Sequence, residues 1–361
     1  MPLFPERVRE SPTAMLELPQ PLVDAVRRNC HIADARHAGE DTLCIYLLKM
    51  RELFRWERGY PLGAALDNEE LGRWLTEREQ QWADLEEEPF EPLPIGGEPL
   101  DPFACDAVND RLVPQGWVYA GGLGRGGRPH FFLGRLERRE RRDGFTALIT
   151  AEETARDISA PAAMLAGETI FLRRESLRRV LWEKVENWRW NRPDNAMGRA
   201  IAAYNFEEDP QGALEAMTGA ELPHIFQHEV GEVLAGRLLG PEWEEMLRAV
   251  AGTRAELFLR AVRDNLADCL AVLPELAAAP HPPSLHFYIG NLTALRRQLF
   301  PRVETAYEAW RRGEGAAALS RAAEAGREHW SDVAVEALAE FGRRGVAGER
   351  DLAAHLESRV L

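Results

Sequence analysis

The second half of the sequence constrains the fold most. From about Ala196 onward, apolar residues recur at spacings of three and four, and Gly and Pro provide the punctuation. The pattern predicts helices over 196–206, 211–217, 222–239, 241–279, 284–312, 315–344 and 348–359. Gly240-Pro241 and the proline-rich 280–283 are breaks, Pro241 suits a first helical turn, and Gly313 and Gly345 suit C-terminal stops. Helices with one apolar stripe each must bury it against one another, so a bundle is expected over 196–361.

The first half reads differently. Residues 1–19 form an irregular arm in this reading. One long helix then runs from about Pro21 to Arg58 on a stripe of Leu22, Val26, Cys30, Ala33, Cys44 and Leu48, stopped by Gly59-Tyr60-Pro61. An acidic helix covers about 67–87. Five prolines and two glycines make 88–102 a wrapping loop, and a short helix follows over about 102–112. Strand character appears at 117–120, 130–133, 144–150 and 169–172 through β-branched and aromatic residues, with GGLGRGGRP (121–129) as turn material. Helix resumes at about Glu175 and ends before Pro193. The expected fold class is α+β, predominantly α: a helical bundle with a small antiparallel β-sheet insertion around 117–173. The expected regions are an N-terminal helical region (1–116), the small sheet with a basic, Trp-rich helix (117–195) and a C-terminal bundle (196–361).

Composition narrows the function classes. The 361 residues hold 44 Lys+Arg against 59 Asp+Glu, a formal charge of −15, which repels nucleic-acid phosphate in general. Ten Trp and 14 Phe supply enough apolar surface to exclude a disordered chain. Four scattered cysteines without a CxxC pair fit a reducing compartment and no zinc ribbon. There is no signal-peptide pattern and no apolar run near the ~20 residues of a membrane span, so a cytoplasmic, bacterial-type protein is expected. The charge is uneven: 117–192 holds 15 Lys/Arg and 10 Asp/Glu. RLERRERR (135–142) and the stretch 173–190, with Trp182, Trp188 and Trp190, concentrate the basic residues. Such a segment suits docking against the protein's own acidic helices, a second subunit, or, as a weaker alternative, a nucleotide or RNA.

The chemically suggestive segment is LPHIFQHEVGEVLAGRLL (222–239). His224, His228 and Glu232 lie four apart, about 40° around a helix, and form one polar stripe. His224 and Glu232 are ~12 Å apart along such a helix, so one ion would use His228 with one neighbour and ligands from another helix. HEVGE is not HExxH, and the spacing also fails the Glu-x-x-His of ferritin-like helices. Gly231 and Ala235 interleave with the stripe and would let a second helix approach. Asp264 and Asp268, again four apart, could face it from the next helix, with His286 completing a His-plus-carboxylate set that suits Fe, Mn or Zn. The bland alternatives are a wet amphipathic face and an ordinary Arg260–Asp264 pair.

A third place is CHIADARHAGEDTLC (30–44), where His37 shares the apolar stripe and has Asp41 at i+4. As a ligand it would be a further member of the metal set; as a core residue it would be hydrogen-bonded. His31 and Asp34 fall further around the helix and read as solvent-facing. The run 121–129 lacks the strand–loop–helix context of a phosphate loop, although Arg125 and Arg128 could meet an anion.

DARHAGEDTLCIYLLKMRELFRWE (34–57), RPHFFLG (128–134), APAAMLAGETIFLRRESLRRVLWEK (160–184) and HEVGE (228–232) resemble an uncharacterised proteobacterial protein family of unknown function. The resemblance implies that the three regions belong to one architecture and carries no activity with it.

The resulting expectation is a metal-binding helical protein, with a divalent Fe, Mn or Zn ion on His224, His228, Glu232, Asp264, Asp268, His286 and His37 as the candidate ligands. It would be a metal-dependent oxidoreductase, or a hydrolase with Glu229 as base, acting on an unknown small molecule. The alternative is a non-catalytic, oligomeric interaction or regulatory protein using the basic Trp-rich segment.

Overall fold

The computed structural model describes residues 8–10, 17–124, 127–142, 144–279 and 281–361. Most of the expected N-terminal arm, Arg125 at the glycine-rich turn and Pro280 lie outside the described residues. The chain divides into two compact units, 1–182 and 183–361. The N-terminal helices and the sheet, taken as separate regions from sequence, fall together in the first.

In the first unit, strand β1 (Val8–Glu10) lies where an irregular arm is expected. Helix α1 (Gln20–His37) ends in a turn of 3-10 helix (Ala38–Glu40), and α2 (Leu43–Glu57) starts anew. The single helix expected over 21–58 is therefore two. The break falls at Gly39-Glu40-Asp41-Thr42, where glycine weakens the helix and Asp41 takes extended backbone angles (φ −77°, ψ 151°). Leu22, Val26, Cys30 and Ala33 are buried as the stripe predicts, against Leu93, Ile95, Val108, Leu112, Tyr119 and Phe131. Cys44 and Leu48 belong to the new helix and are exposed. Helix α3 (Asn68–Leu85) is capped by Asp67, which accepts the Glu70 N–H at 2.8 Å.

The proline-rich 88–102 holds a hairpin, β2 (Leu93–Ile95) and β3 (Glu98–Leu100), turning at Gly96 and Gly97 with φ of +64° and +86°. Helix α4 (Cys105–Leu112) leads into β4 (Trp117–Leu123), β5 (Pro129–Arg142), β6 (Phe145–Arg156), β7 (Ala163–Ala166) and β8 (Thr169–Arg173). The sheet order is β1-β5-β6-β8-β7, with β4 also on β5. The small antiparallel sheet is present, with one parallel pair, β6 with β8. Register shifts between Leu133 and Arg138 bend β5. Some of the unit's basic residues are spent internally. Arg173 is wholly buried, makes a two-pronged bond to Glu153 (3.0 and 2.6 Å) and lies over the Phe132 ring.

Helix α5 (Arg174–Asn191) crosses the boundary between the units. Arg179 and Trp182 on it are buried, and Arg179 bonds the carbonyls of Ser159 and Ala160.

The second unit has no strand among its described residues and is built from helices: α6 (Ala196–Ala202), α7 (Pro210–Leu239), α8 (Pro241–Ala249), α9 (Arg254–Ala267), α10 (Leu273–Ala278), α11 (Pro282–Asn291), α12 (Ala294–Leu299), α13 (Pro301–Ala309), α14 (Ala317–Arg344) and α15 (Glu349–Glu357). The predicted 211–217 and 222–239 are one helix that runs through Pro223. The predicted 241–279 breaks at Gly252 (φ +78°), after which Thr253 caps α9. A π-helical turn, Asp268–Val272, joins α9 to α10. One apolar core built from Trp243, Leu259, Leu266, Phe300, Tyr307 and Trp330 holds the bundle. No helix among the described residues is long and apolar enough to cross a membrane.

Candidate metal centre

Helix α7 passes close to the junction of α9 with its π turn, and Gly231 sets the distance. A side chain there would collide with the Ala267 carbonyl oxygen and come within 2.7 Å of its carbon. This close approach brings His228 and Glu232 of α7 against Asp264 of α9 and Asp268 of the π turn. The helix pair expected from sequence thus forms, through the small residue that interleaves the polar stripe.

One ligand atom each from His228, Glu232 and Asp264 lie within 4.8 Å of one another. His228 Nδ1 meets Asp268 Oδ1 at 2.7 Å. Nδ1–H donates to that carboxylate, so Nε2 is the nitrogen left to face a ligand, the orientation of metal-binding imidazoles backed by a carboxylate. The other Asp268 oxygen pairs with Arg296, whose Nε donates to Asn265 Oδ1 at 2.9 Å. Glu232 pairs with Arg263, which also reaches Glu244 at 2.9 Å.

The site is 6% exposed at Glu232 and 2% at the Asp268 side chain, while His228 and Asp264 are half-buried. Burial resists ionisation of Asp268, yet Arg296 and His228 hold it well below the carboxylate range. Burial opposes the His228 imidazolium, but Asp268, reinforced by Glu229 and Glu232, lifts it to about 10. Glu229 is raised to about 7 by burial, with His228 opposing the shift. Glu232 is raised by burial and by the hydrogen-bonded Asp264 beside it, in spite of Arg263. Glu232 and Asp268 are thus compensated by the protein's own cations, Arg263 for the first and His228 with Arg296 for the second, while Asp264 lies beside Glu232.

One family model, described as the N-terminal domain of a family of unknown function (DUF6866), matches residues 21–173; a second, the C-terminal domain of the same family, matches 178–359. The chain belongs to the DUF6866 family. No curated protein and no solved structure matches it. The two DUF6866 domains meet close to the boundary between the compact units, and the His228 cluster lies wholly in the C-terminal one.

The remaining sequence-predicted residues of this DUF6866 protein lie elsewhere. His224, one turn before His228, is lowered to about 4 by burial and by His281, and its Nδ1 is buried without a partner. His286 bonds the Tyr307 hydroxyl at 2.8 Å and packs edge-on to Trp310, so it does not complete the ligand set. His37 is in the N-terminal domain and meets Glu40 at 2.8 Å; the i+4 partner expected for it, Asp41, pairs with Lys49 instead. Arg260 pairs with Glu256 at 2.7 Å, not with Asp264. The sequence reading missed Arg263 and Arg296. Neither stands at pairing distance on the helix that carries its acid, so no spacing rule could find them.

Proposed function

We propose that this DUF6866 protein binds one divalent transition-metal ion through His228, Glu232 and Asp264 in its C-terminal domain. The convergence of these three ligand atoms, with Asp268 fixing the imidazole, is the observation that carries the reading. Nitrogen and oxygen donors suit Fe, Mn or Zn. Such an ion supplies Lewis acidity or redox chemistry. Of the protein's own groups, Glu229 is suited to take or hold a proton, because it titrates at about 7 next to the cluster. Arg263 would give up Glu232 and keep Glu244, which already holds it.

Metal analysis of the purified protein tests this directly. The wild type is expected to hold close to one Fe, Mn or Zn per chain, and His228→Ala to lose it. Wild type at background after reconstitution with all three ions overturns the reading.

The alternative interaction surface is narrowed by the burial of Arg173, Arg179 and Trp182. What favours it is the end of α5, where Trp190 is 87% exposed. A partner or second copy seated there would protect Trp190 fluorescence from an aqueous quencher in a salt-dependent way.

A further inference from the structure

The first turns of α2 carry an apolar stripe that the fold leaves in solvent. Leu43 is 70% exposed, Leu47 43% and Leu48 54%, and Cys44 among them is exposed as well. Leu43 with Leu47 and Cys44 with Leu48 stand four apart on the helix, so the four side chains form one continuous surface, flanked by the exposed Ile45.

The two halves of α2 have different surroundings. In its later turns Met50, Leu53 and Phe54 are buried in one cluster with Trp74, Trp82 and Leu85 of α3. In its first turns Tyr46 faces α3, its hydroxyl donating to Glu79 at 2.9 Å, while the leucines point to water. Apolar surface left in water forgoes about 25 cal/mol per Å², and monomeric proteins rarely keep such residues contiguous.

The charges at the two ends of the stripe say what it fits. Glu40, with a side chain 53% exposed, stands before it, and Arg51, at 33%, stands after it. Glu40 precedes the middle of the stripe by as many residues as Arg51 follows it. A half-turn about an axis through that middle, perpendicular to the helix, lays leucine on leucine and sets the acidic end of one copy beside the basic end of the other. The helix dipoles then run antiparallel as well. Within one chain Glu40 is held by His37 and Arg128 and Arg51 by Glu52, so a second copy extends existing ion pairs into a network. The surface is complementary to itself.

We propose that this face of α2 is the interface of a two-fold homodimer, in which α2 packs antiparallel on α2 of a second copy. Cys44 lies within one helical turn of the axis, which brings the two Cys44 residues within about 10 Å of each other. A contact of about two helical turns is at the small end of specific interfaces, so the dimer is weak and forms between micromolar and millimolar protein.

The test is sedimentation equilibrium of the full chain across that range, together with cross-linking by a short bis-maleimide. The wild type is expected to pass from one to two chains per particle as concentration rises, and to give a cross-linked dimer that Cys44→Ser abolishes. Leu47→Glu places a charge in the stripe and should move the association midpoint to at least about 10-fold higher concentration with an unchanged melting temperature. Glu40→Arg and Arg51→Glu should each associate more weakly than the wild type when alone and more tightly when mixed, because only the mixture sets unlike ends side by side. Thermal melts check that both fold. A wild type that stays monomeric at millimolar concentration overturns the proposal and leaves the stripe to a different partner. A dimer that Leu47→Glu does not weaken, or a mixture no tighter than either charge variant alone, overturns it too.

Discussion

Gly231→Ala is the sharpest test of how the C-terminal site is built. Alanine is the better helix former by about 1 kcal/mol, so on local grounds the change stabilises α7. The structure reverses that sign. The new Cβ would lie 2.7 Å from the Ala267 carbonyl carbon and 3.0 Å from its Cα, and both are backbone atoms. Carbon atoms pack at about 3.5–4.0 Å, so α7 and α9 must separate by roughly 1 Å. Overpacking of this kind costs about 1–3 kcal/mol, leaving a net loss of up to about 2 kcal/mol after the helix gain. At about 2–4 °C per kcal/mol, the melting temperature of this domain should fall by up to about 8 °C. Gly219→Ala on the same helix is the control: nothing lies within 4 Å of its Cβ position, so it should gain about 1 kcal/mol. The assay is thermal and urea unfolding of the three proteins, with metal content measured alongside. Separation by ~1 Å would stretch the 2.7 Å His228–Asp268 bond beyond bonding distance, so metal uptake should fall in Gly231→Ala and persist in Gly219→Ala. A Gly231→Ala protein at least as stable as the wild type would refute the reasoning.

Two further outcomes are expected. Glu221, 1% exposed and bonded by Ser284 at 2.7 Å, is raised by burial to about 7, so the folded state holds its proton where the unfolded state has lost it. Its contribution is present below about pH 4.5 and lost as pH rises through about 7, at no more than about 1.4 kcal/mol per pH unit; Glu221→Gln should flatten that part of a stability–pH curve. In the N-terminal domain, Glu153→Ala leaves the wholly buried Arg173 without its carboxylate and should cost about 3–5 kcal/mol, seen as a lower urea midpoint, while a loss under 1 kcal/mol would show that Arg173 is compensated elsewhere.

The sequence was most legible where one local rule acts alone. The stripe of Leu22, Val26, Cys30 and Ala33 is buried as spaced, and Asp67 caps its helix. The β-branched and aromatic run over 117–173 does form the sheet. It was least legible where a residue's surroundings come from distant segments. Asp34 and His31 read as solvent-facing on a helical wheel. Asp34 instead sits under the 157–160 turn, and His31 lies among Arg78 and Trp82, where burial lowers it to about 3. A wheel knows the angle of a side chain but not what is packed against it.

The same division holds at the candidate site. Local sequence determined that His228 and Glu232 share one face of a helix, that Asp264 and Asp268 share a face of another, and that a small residue between them permits close packing, because helical periodicity fixes all three. Tertiary structure alone decided that these faces meet, that Asp268 holds His228, and that Arg263 and Arg296 compensate the acids. Arg296 reaches Asp268 from 28 residues further along the chain. An ion pair across such a loop depends on the route of the backbone between its ends, and no spacing in the sequence encodes that route.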